Sequence, residues 1–355
     1  MFSWMTRQKE LVGLDIGTSS VKVVHLQRSR NTYRLAEFAV ASIHPETIVD
    51  GIIMDAATVS DTIQKLFAEN SIAIKNVAFS VSGHSVIIKK IKVPQMKKAE
   101  LREGIAWEAE QHIPHSIEDV NLDFQILREA GPDEQEMDVL LVAVKKDTLN
   151  NYLAVISAAG LSAAVVDVDA FAIENAFAIS QEVQPGEVVA LVNIGAAVTN
   201  INILHGGVSE FTRDCPLGGN QHTESLQKSL SVSFGQAEAL KRGELVAGHS
   251  FVDAMPVIQM ANGVLAGEIR RSFDFYRSTS HSTTIHRMVL SGGCALLSDL
   301  ASYLSRALEL PVEIANPFQH VVADPKFDSQ YLAHIAPQAT VAVGLALREP
   351  EDEAR

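Results

Sequence analysis

Two cysteines in 355 residues, Cys215 and Cys294, stand too far apart for a CxxC zinc site and are too few for a disulfide framework. Their scarcity points to a reducing, cytoplasmic compartment. Lys and Arg number 29 against 43 Asp and Glu, a net charge of −14, so the clustered basic surface that phosphate backbones require is missing. Nucleic acid is therefore not an expected partner. No run approaches the roughly 20 apolar residues that cross a bilayer, and Met1 to Lys9 carries charge where a secretory signal has its apolar core. Phe2, Trp4 and Met5 read as an unstructured start. The signatures GxxxxGK(S/T), GxGxxG, GxSxG and HExxH are absent, which removes P-loop, Rossmann, α/β-hydrolase and zincin chemistry. His112 and His115, the closest histidine pair, are separated by Pro114 and share no helix face.

What is present is organised around one stretch and its later copy. Leu11 to Leu14 reads as an apolar strand running into Asp15, Gly17, Thr18, Ser19 and Ser20, and a second strand, Val21 to Leu26, follows at once. Gly17 has no Cβ, so backbone N–H groups and the hydroxyls can close around phosphate oxygens, while Lys22 adds a cation. Asp15 is placed to hold a hydrated Mg²⁺, which keeps several waters and takes one or two carboxylates. The copy lies 178 residues on: Asn193 registers with Asp15, Ile194 with Ile16 and Gly195 with Gly17, leading through Ala196 and Thr199 into Ile201 to Leu204. Paired phosphate hairpins imply a duplicated fold with a nucleotide between its halves. A third element, Ser291-Gly292-Gly293, ends an apolar strand and opens a helix, a surface that a base or ribose could approach.

With 47% hydrophobic residues the chain can bury a large core. Strand and helix patterns after the first hairpin give a βββαβ unit ending at Val81, with Asp55 as N-cap of a helix to Glu69. A segment of different character follows, 84–163, in the order strand, helix, strand, strand, helix, with an exposed turn at Gly131-Pro132-Asp133. A basic cluster in it, Lys89, Lys90, Lys92, Lys97 and Lys98, reads as a solvated strand and helix start or as a surface for anionic lipid headgroups or an acidic partner. Beyond the second hairpin, helices are expected from Leu217-Gly218-Gly219 to about Leu230, at 235–242, at 254–276, which is long, at 295–308 and at 339–348.

Three nucleotide elements in this order resemble the actin-like ATPase superfamily, an α/β duplicated (ribonuclease H-like) fold, here with an FtsA-like inserted subdomain at 84–163. The insert's Glu103-Gly-Ile-Ala-Trp-Glu-Ala-Glu-Gln-His-Ile-Pro114, together with Ile117 to Val120, Asp123-Phe124, Val166 to Ala172, Leu217-Gly218-Gly219 and Asn316-Pro317-Phe318, is similar to the type IV pilus assembly PilM family. The resemblance implies a first half at 1–83 with 164–180 returning to it, the insert, a second half at 187–348, and an acidic tail at 349–355.

It further implies ATP or ADP with Mg²⁺ held by Gly17, Thr18, Ser19 and Lys22, by Gly195, Ala196 and Thr199, and by Gly218, Gly219, Glu238, Lys241, Gly292 and Gly293. Asp15 would position the metal through water, and Asn193 only weakly. As partners it implies the N-terminal cytoplasmic peptide of PilN in a groove beside the insert, and other pilus assembly proteins at the inner membrane. Asn193 is neutral where hydrolysing members carry Asp. Half of the roughly 4 kcal/mol between two charges at 4 Å would slow turnover more than tenfold. No Gln lies between Asp167 and Asn175 to orient a water. A binding scaffold with slow or absent hydrolysis is the expectation, with three alternatives: an FtsA-like membrane-tethered polymer, a type II secretion or mannose-sensitive pilus relative, and a sugar kinase.

Overall fold

A computed structural model describes residues 10–29, 32–128, 135–246, 248–280 and 284–350. The β-branched run after Leu11 forms β1 (Val12–Ile16) and β2 (Ser20–Ser29), an antiparallel hairpin continued by β3 (Thr32–Ser42). A small hairpin, β4 (Ile48–Val49) and β5 (Ile52–Ile53), turns through Asp50 and Gly51 at positive φ. It leads to α1 (Ala56–Glu69), where Asp55 caps the Thr58 amide as its sequence position predicts. β6 (Asn76–Val81) then returns parallel to β1.

The inserted segment has its own sheet and core. β7 (Val86–Pro94), α2 (Lys98–Glu110), β8 (Val120–Arg128) and β9 (Glu136–Lys145) form a sheet of order β7-β9-β8 with α2 on one face, sealed by Ile91, Leu101, Ile105, Met137 and Leu141. α3 (Lys146–Ala158) departs from expectation. Tyr152, Val155 and Ile156 pack with α1 in the core of the first half, and the Tyr152 ring stacks on Phe79 at 6.1 Å. The insert therefore closes near Lys145 rather than at 163. β10 (Ser162–Val168) and α4 (Asp169–Ser180) complete this half.

The second half repeats the pattern with β11 (Val188–Ile194), β12 (Thr199–His205) and β13 (Val208–Cys215), then α5 (Asn220–Leu230), α6 (Phe234–Lys241) and α7 (Phe251–Thr279). β14 (Arg287–Ser291), α8 (Leu300–Leu308) and β15 (Val312–Ile314) follow. Its strand order, β13-β12-β11-β14-β15, matches β3-β2-β1-β6-β10 position for position, antiparallel on one side of the central strand and parallel on the other. The single helix expected over 295–308 is split: a 3₁₀ turn over Gly293–Leu296 is followed by Asp299 at φ 62°, and only then does α8 begin.

The remaining elements, β16 (Val321–Ala323), α9 (Ser329–Ile335) and α10 (Thr340–Ala346), correct the assignment of 187–348 to one half. β16 pairs with β3 at the edge of the first sheet, and α10 lies against β1 and α4. Two glycines permit that docking. A Cβ on Gly13 would stand 2.1 Å from the Ala342 carbonyl oxygen, and one on Gly344 would stand 1.7 Å from that of Ala172. The turn at 131–133, the Phe2, Trp4 and Met5 start and the tail beyond Pro350 lie outside the described residues.

Candidate functional site

Both hairpins leave the carboxyl end of a central strand, where open α/β sheets place their ligands. Each closes the same way: Gly17 N–H donates to Ser20 O at 3.1 Å, and Gly195 N–H to Val198 O at 2.9 Å. Opposite one another in the β1–β2 ladder, Asp15 and Lys22 form an ion pair at 2.9 Å with both side chains largely buried. Ser19 is exposed, Thr18 half-buried, and the Ser20 hydroxyl is buried without a protein partner. An orphaned hydroxyl beside a glycine turn fits a polyanion that supplies the missing acceptor.

In the second hairpin the polar atoms are already engaged. Asn193 Nδ2 donates to Asn200 Oδ1 at 2.9 Å, Ser291 Oγ donates to Asn193 Oδ1 at 3.2 Å, and Thr199 Oγ1 donates to Leu217 O at 2.6 Å. Thr199, 1% exposed, is thus a strut between the hairpin and the loop before α5 and not a free phosphate donor. The tip itself is pinned: Gly219 N–H donates to Gly195 O at 2.9 Å and Asn220 N–H to Ala196 O at 2.7 Å. Side chains at Gly218 or Gly219 would collide with Gly195 O or Cys294 Sγ at 2.6 Å.

Two carboxylates that were not among the expected site residues complete the crevice. Asp169, the first residue of α4, accepts from Ser80 Oγ at 2.6 Å. Burial and then the charge of Asp15 push its carboxyl up to about 7. Asp214 accepts from Asn200 Nδ2 at 2.8 Å and from the Gly83 amide at 2.6 Å, bridging β13 to the start of the insert, and burial raises it too. A carboxyl that exchanges its proton near pH 7 is suited to general-base work. In the sequence Asp169 lies in the Val166 to Ala172 stretch that carries the family resemblance, yet an acid opening an apolar helix usually only caps it, so it has no expected site role. Asp214 is made by the β12–β13 register. Among the described residues no group of three or more His, Cys, Asp or Glu is placed to hold a metal ion.

On the far side Lys241 Nζ donates to Glu238 Oε1 at 2.5 Å, to Thr223 Oγ1 at 2.9 Å and to Gly219 O at 3.3 Å, and Thr223 also donates to Glu238. Glu238 and Lys241 thus stand beside the Gly219 loop. Gly292, at φ 88°, presses on the Ile194 backbone, where a Cβ would meet Ile194 O at 2.4 Å, while Gly293 faces open space. The structure brings Gly195, Ala196, Gly218, Gly219, Glu238 and Lys241 together around one loop crossing, with Gly292 behind it against Ile194.

A second concavity lies beside the insert. A groove of about 480 Å³ runs between β8 and β9 on one wall and β10 and α4 on the other, with Val208 and Ser209 of β13 at its rim. Phe124, Leu140, Val142, Val166 and Phe171 give it apolar walls, and Asp167, Glu174, Asn175 and Arg348 a polar floor. The family resemblance implied a groove beside the insert and its motifs include the lining residues Asp123, Phe124 and Val166 to Val168, but no local pattern showed that they meet, because the walls come from three separate chain segments.

A duplicated βββαβα sheet with paired glycine hairpins at its crevice defines an actin-like ATPase fold. MreB5 of Spiroplasma citri bound to ADP shares that fold, at 13% identity and a TM-score of 0.53 over 95% of this chain and 94% of that one. The chain belongs to the type IV pilus assembly protein PilM family, whose profile matches residues 13–350. A structure of the PilM-PilN type IV pilus biogenesis complex superposes with a TM-score of 0.86 at 31% identity, over 97% of this chain and 99% of its own. The cell division protein FtsA of Bacillus subtilis (strain 168) is 24% identical over 375 residues, covering 91% of this chain and 82% of FtsA. Among the described residues no helix is long and apolar enough to cross a membrane.

Proposed function

We propose that this chain is a nucleotide-binding scaffold of type IV pilus assembly, holding the N-terminal cytoplasmic peptide of PilN in the groove between its insert and its first half, at the cytoplasmic face of the inner membrane. The groove carries the reading: an extended peptide could lie along the free edge of β8 or β10, the outer strands of their sheets, while its side chains enter apolar pockets. In the crevice Gly17, Thr18, Ser19, Ser20 and Lys22 would hold phosphates, opposite the Gly195–Ala196 turn. Glu238, Lys241, Gly292 and Gly293 would line ribose and base. Asp15 would position Mg²⁺ through water. A bound ATP would supply the polyanion on which the two halves close.

Hydrolysis is slow in this proposal because Asn193 adds no charge, and Asp169 is the group placed to accept a proton from water. Calorimetric titration with ATP·Mg²⁺, ADP and a synthetic N-terminal peptide of the co-encoded PilN, with phosphate release followed in parallel, tests it. Binding of ATP and peptide with little phosphate release is expected. Rapid turnover would make the chain an enzyme, and no affinity for the peptide would sink the scaffold reading.

A further inference from the structure

The groove floor is charged more strongly than its apolar walls require. Among the described lining residues, Asp167 and Glu174 on the floor and Asp123 on the β8 wall stand against one cation, Arg348. Asp167 is 6% exposed. Its Oδ1 accepts the Val168 amide at 2.9 Å, whereas Oδ2 accepts no hydrogen bond and is balanced only by Arg348 Nε at 3.2 Å, on a side chain that is 42% exposed. Glu174 has one engaged oxygen, Oε2, which accepts from Asn202 Nδ2 at 3.1 Å. Asn202 is itself held by Ser209 Oγ at 2.7 Å, so the network runs from rim to floor. Burial, reinforced by the charge of Asp167, raises the proton affinity of Glu174. Buried acceptors short of donors are costly unless a ligand provides them. Asn175 Nδ2 is the reverse case, a fully buried donor with no acceptor.

Resting on the proposed peptide groove, we propose that the groove selects for a Lys or Arg side chain, seated between Asp167 and Glu174, with Asn175 Nδ2 taking a neighbouring main-chain carbonyl of the same peptide. The charge balance favours a cation over an acidic or neutral ligand, since two carboxylates on adjoining elements line the groove and the one guanidinium paired with Asp167 faces solvent. A long side chain suits the site, because Asp167, on β10, is only 6% exposed and Glu174, on α4, is partly buried, so a cation must reach in past the apolar walls. The apolar walls take the residues on either side, so the recognised unit is an extended apolar peptide with one cation in its bound segment.

The test uses the full chain and fluorescence anisotropy with the PilN N-terminal peptide, with each Lys or Arg replaced in turn by Gln. Glu174→Gln keeps an acceptor for Asn202 and Asp167→Asn keeps one for Val168, and their thermal melts check folding. One peptide substitution is expected to weaken binding at least tenfold on the wild-type chain, and far less on Glu174→Gln, because both changes remove one interaction. Peptides with unchanged affinity after every substitution, additive losses, or a loss produced only by N-terminal acetylation would overturn the proposal. A Leu140→Ala control separates the two levels of failure: unaltered peptide affinity in that variant would mean that the peptide binds elsewhere, which removes the groove itself along with its cation pocket.

Discussion

Replacing Asp169 by Asn should stabilise the protein in a pH-dependent way. Its carboxyl titrates near 3.8 when unfolded and at about 7 when folded, because burial and Asp15 disfavour its charge. The folded state therefore holds a proton that the unfolded chain releases, and stability falls as pH rises from about 4 to about 7. A shift of roughly three units at about 1.4 kcal/mol each puts the loss at about 4 kcal/mol, fully developed near pH 8. Asn carries no charge, and its Oδ1 can still accept from Ser80, so the variant escapes that loss. Urea unfolding of both proteins at pH 5, 7 and 8.5 gives the comparison. The gap in stability should widen with pH in favour of Asp169→Asn, while any phosphate release falls. The raised carboxyls of Asp167 and Glu174 contribute about equally to both proteins and cancel, while Asp214, whose charge acts on Asp169, is relieved in the variant and widens the gap further. Parallel pH profiles would refute the argument, for they would mean that Asp169 is ionised in the fold at no cost.

Gly344→Ala forces α10 from α4 by more than 1 Å; overpacking of about 1–3 kcal/mol outweighs the roughly 1 kcal/mol helix gain, so the urea midpoint should drop. Asn193→Asp leaves Asn200 unable to serve two carboxylates at once, the introduced one and that of Asp214. It should lose about 1–3 kcal/mol in nucleotide-free protein, with the loss shrinking once Mg²⁺·ATP is added to the melt. Lys241→Met strands the Glu238 carboxylate beside the Gly219 carbonyl, and calorimetry should show ATP affinity falling about tenfold while PilN peptide affinity without nucleotide stays the same.

Residues that repeat in register were legible before any coordinates. Asp15/Asn193 and Gly17/Gly195 are local, and their spacing fixed the duplicated architecture that β1–β2 and β11–β12 display. Long amphipathic or apolar segments such as α1 and α7 were legible for the same reason. What escaped depends on tertiary placement. β15 and β16 are three residues each, too short for a period of two to register. α3 follows the insert without a break in the chain, and only the stacking of Tyr152 on Phe79 shows which core it serves. Thr199 looked like a phosphate hydroxyl because its neighbours did, yet its Oγ1 is spent on Leu217. Asp214, Glu174 and Asn175 gain meaning only from strands and helices far away in sequence.

The return of β16 and α10 to the first sheet sets an order of events during synthesis. β3 ends at Ser42, and the strand that covers its edge ends at Ala323. At translation rates of roughly 5–20 residues per second, that edge waits on the order of 15–60 s for its cover. All five strands of the second sheet lie between Val188 and Ile314 and can close without waiting for the rest. The half made later is thus the one able to finish first. Until residues 321–346 emerge, the earlier half presents an open strand edge and a slot between Gly13 and Ala172 that unpaired strands of other chains can enter.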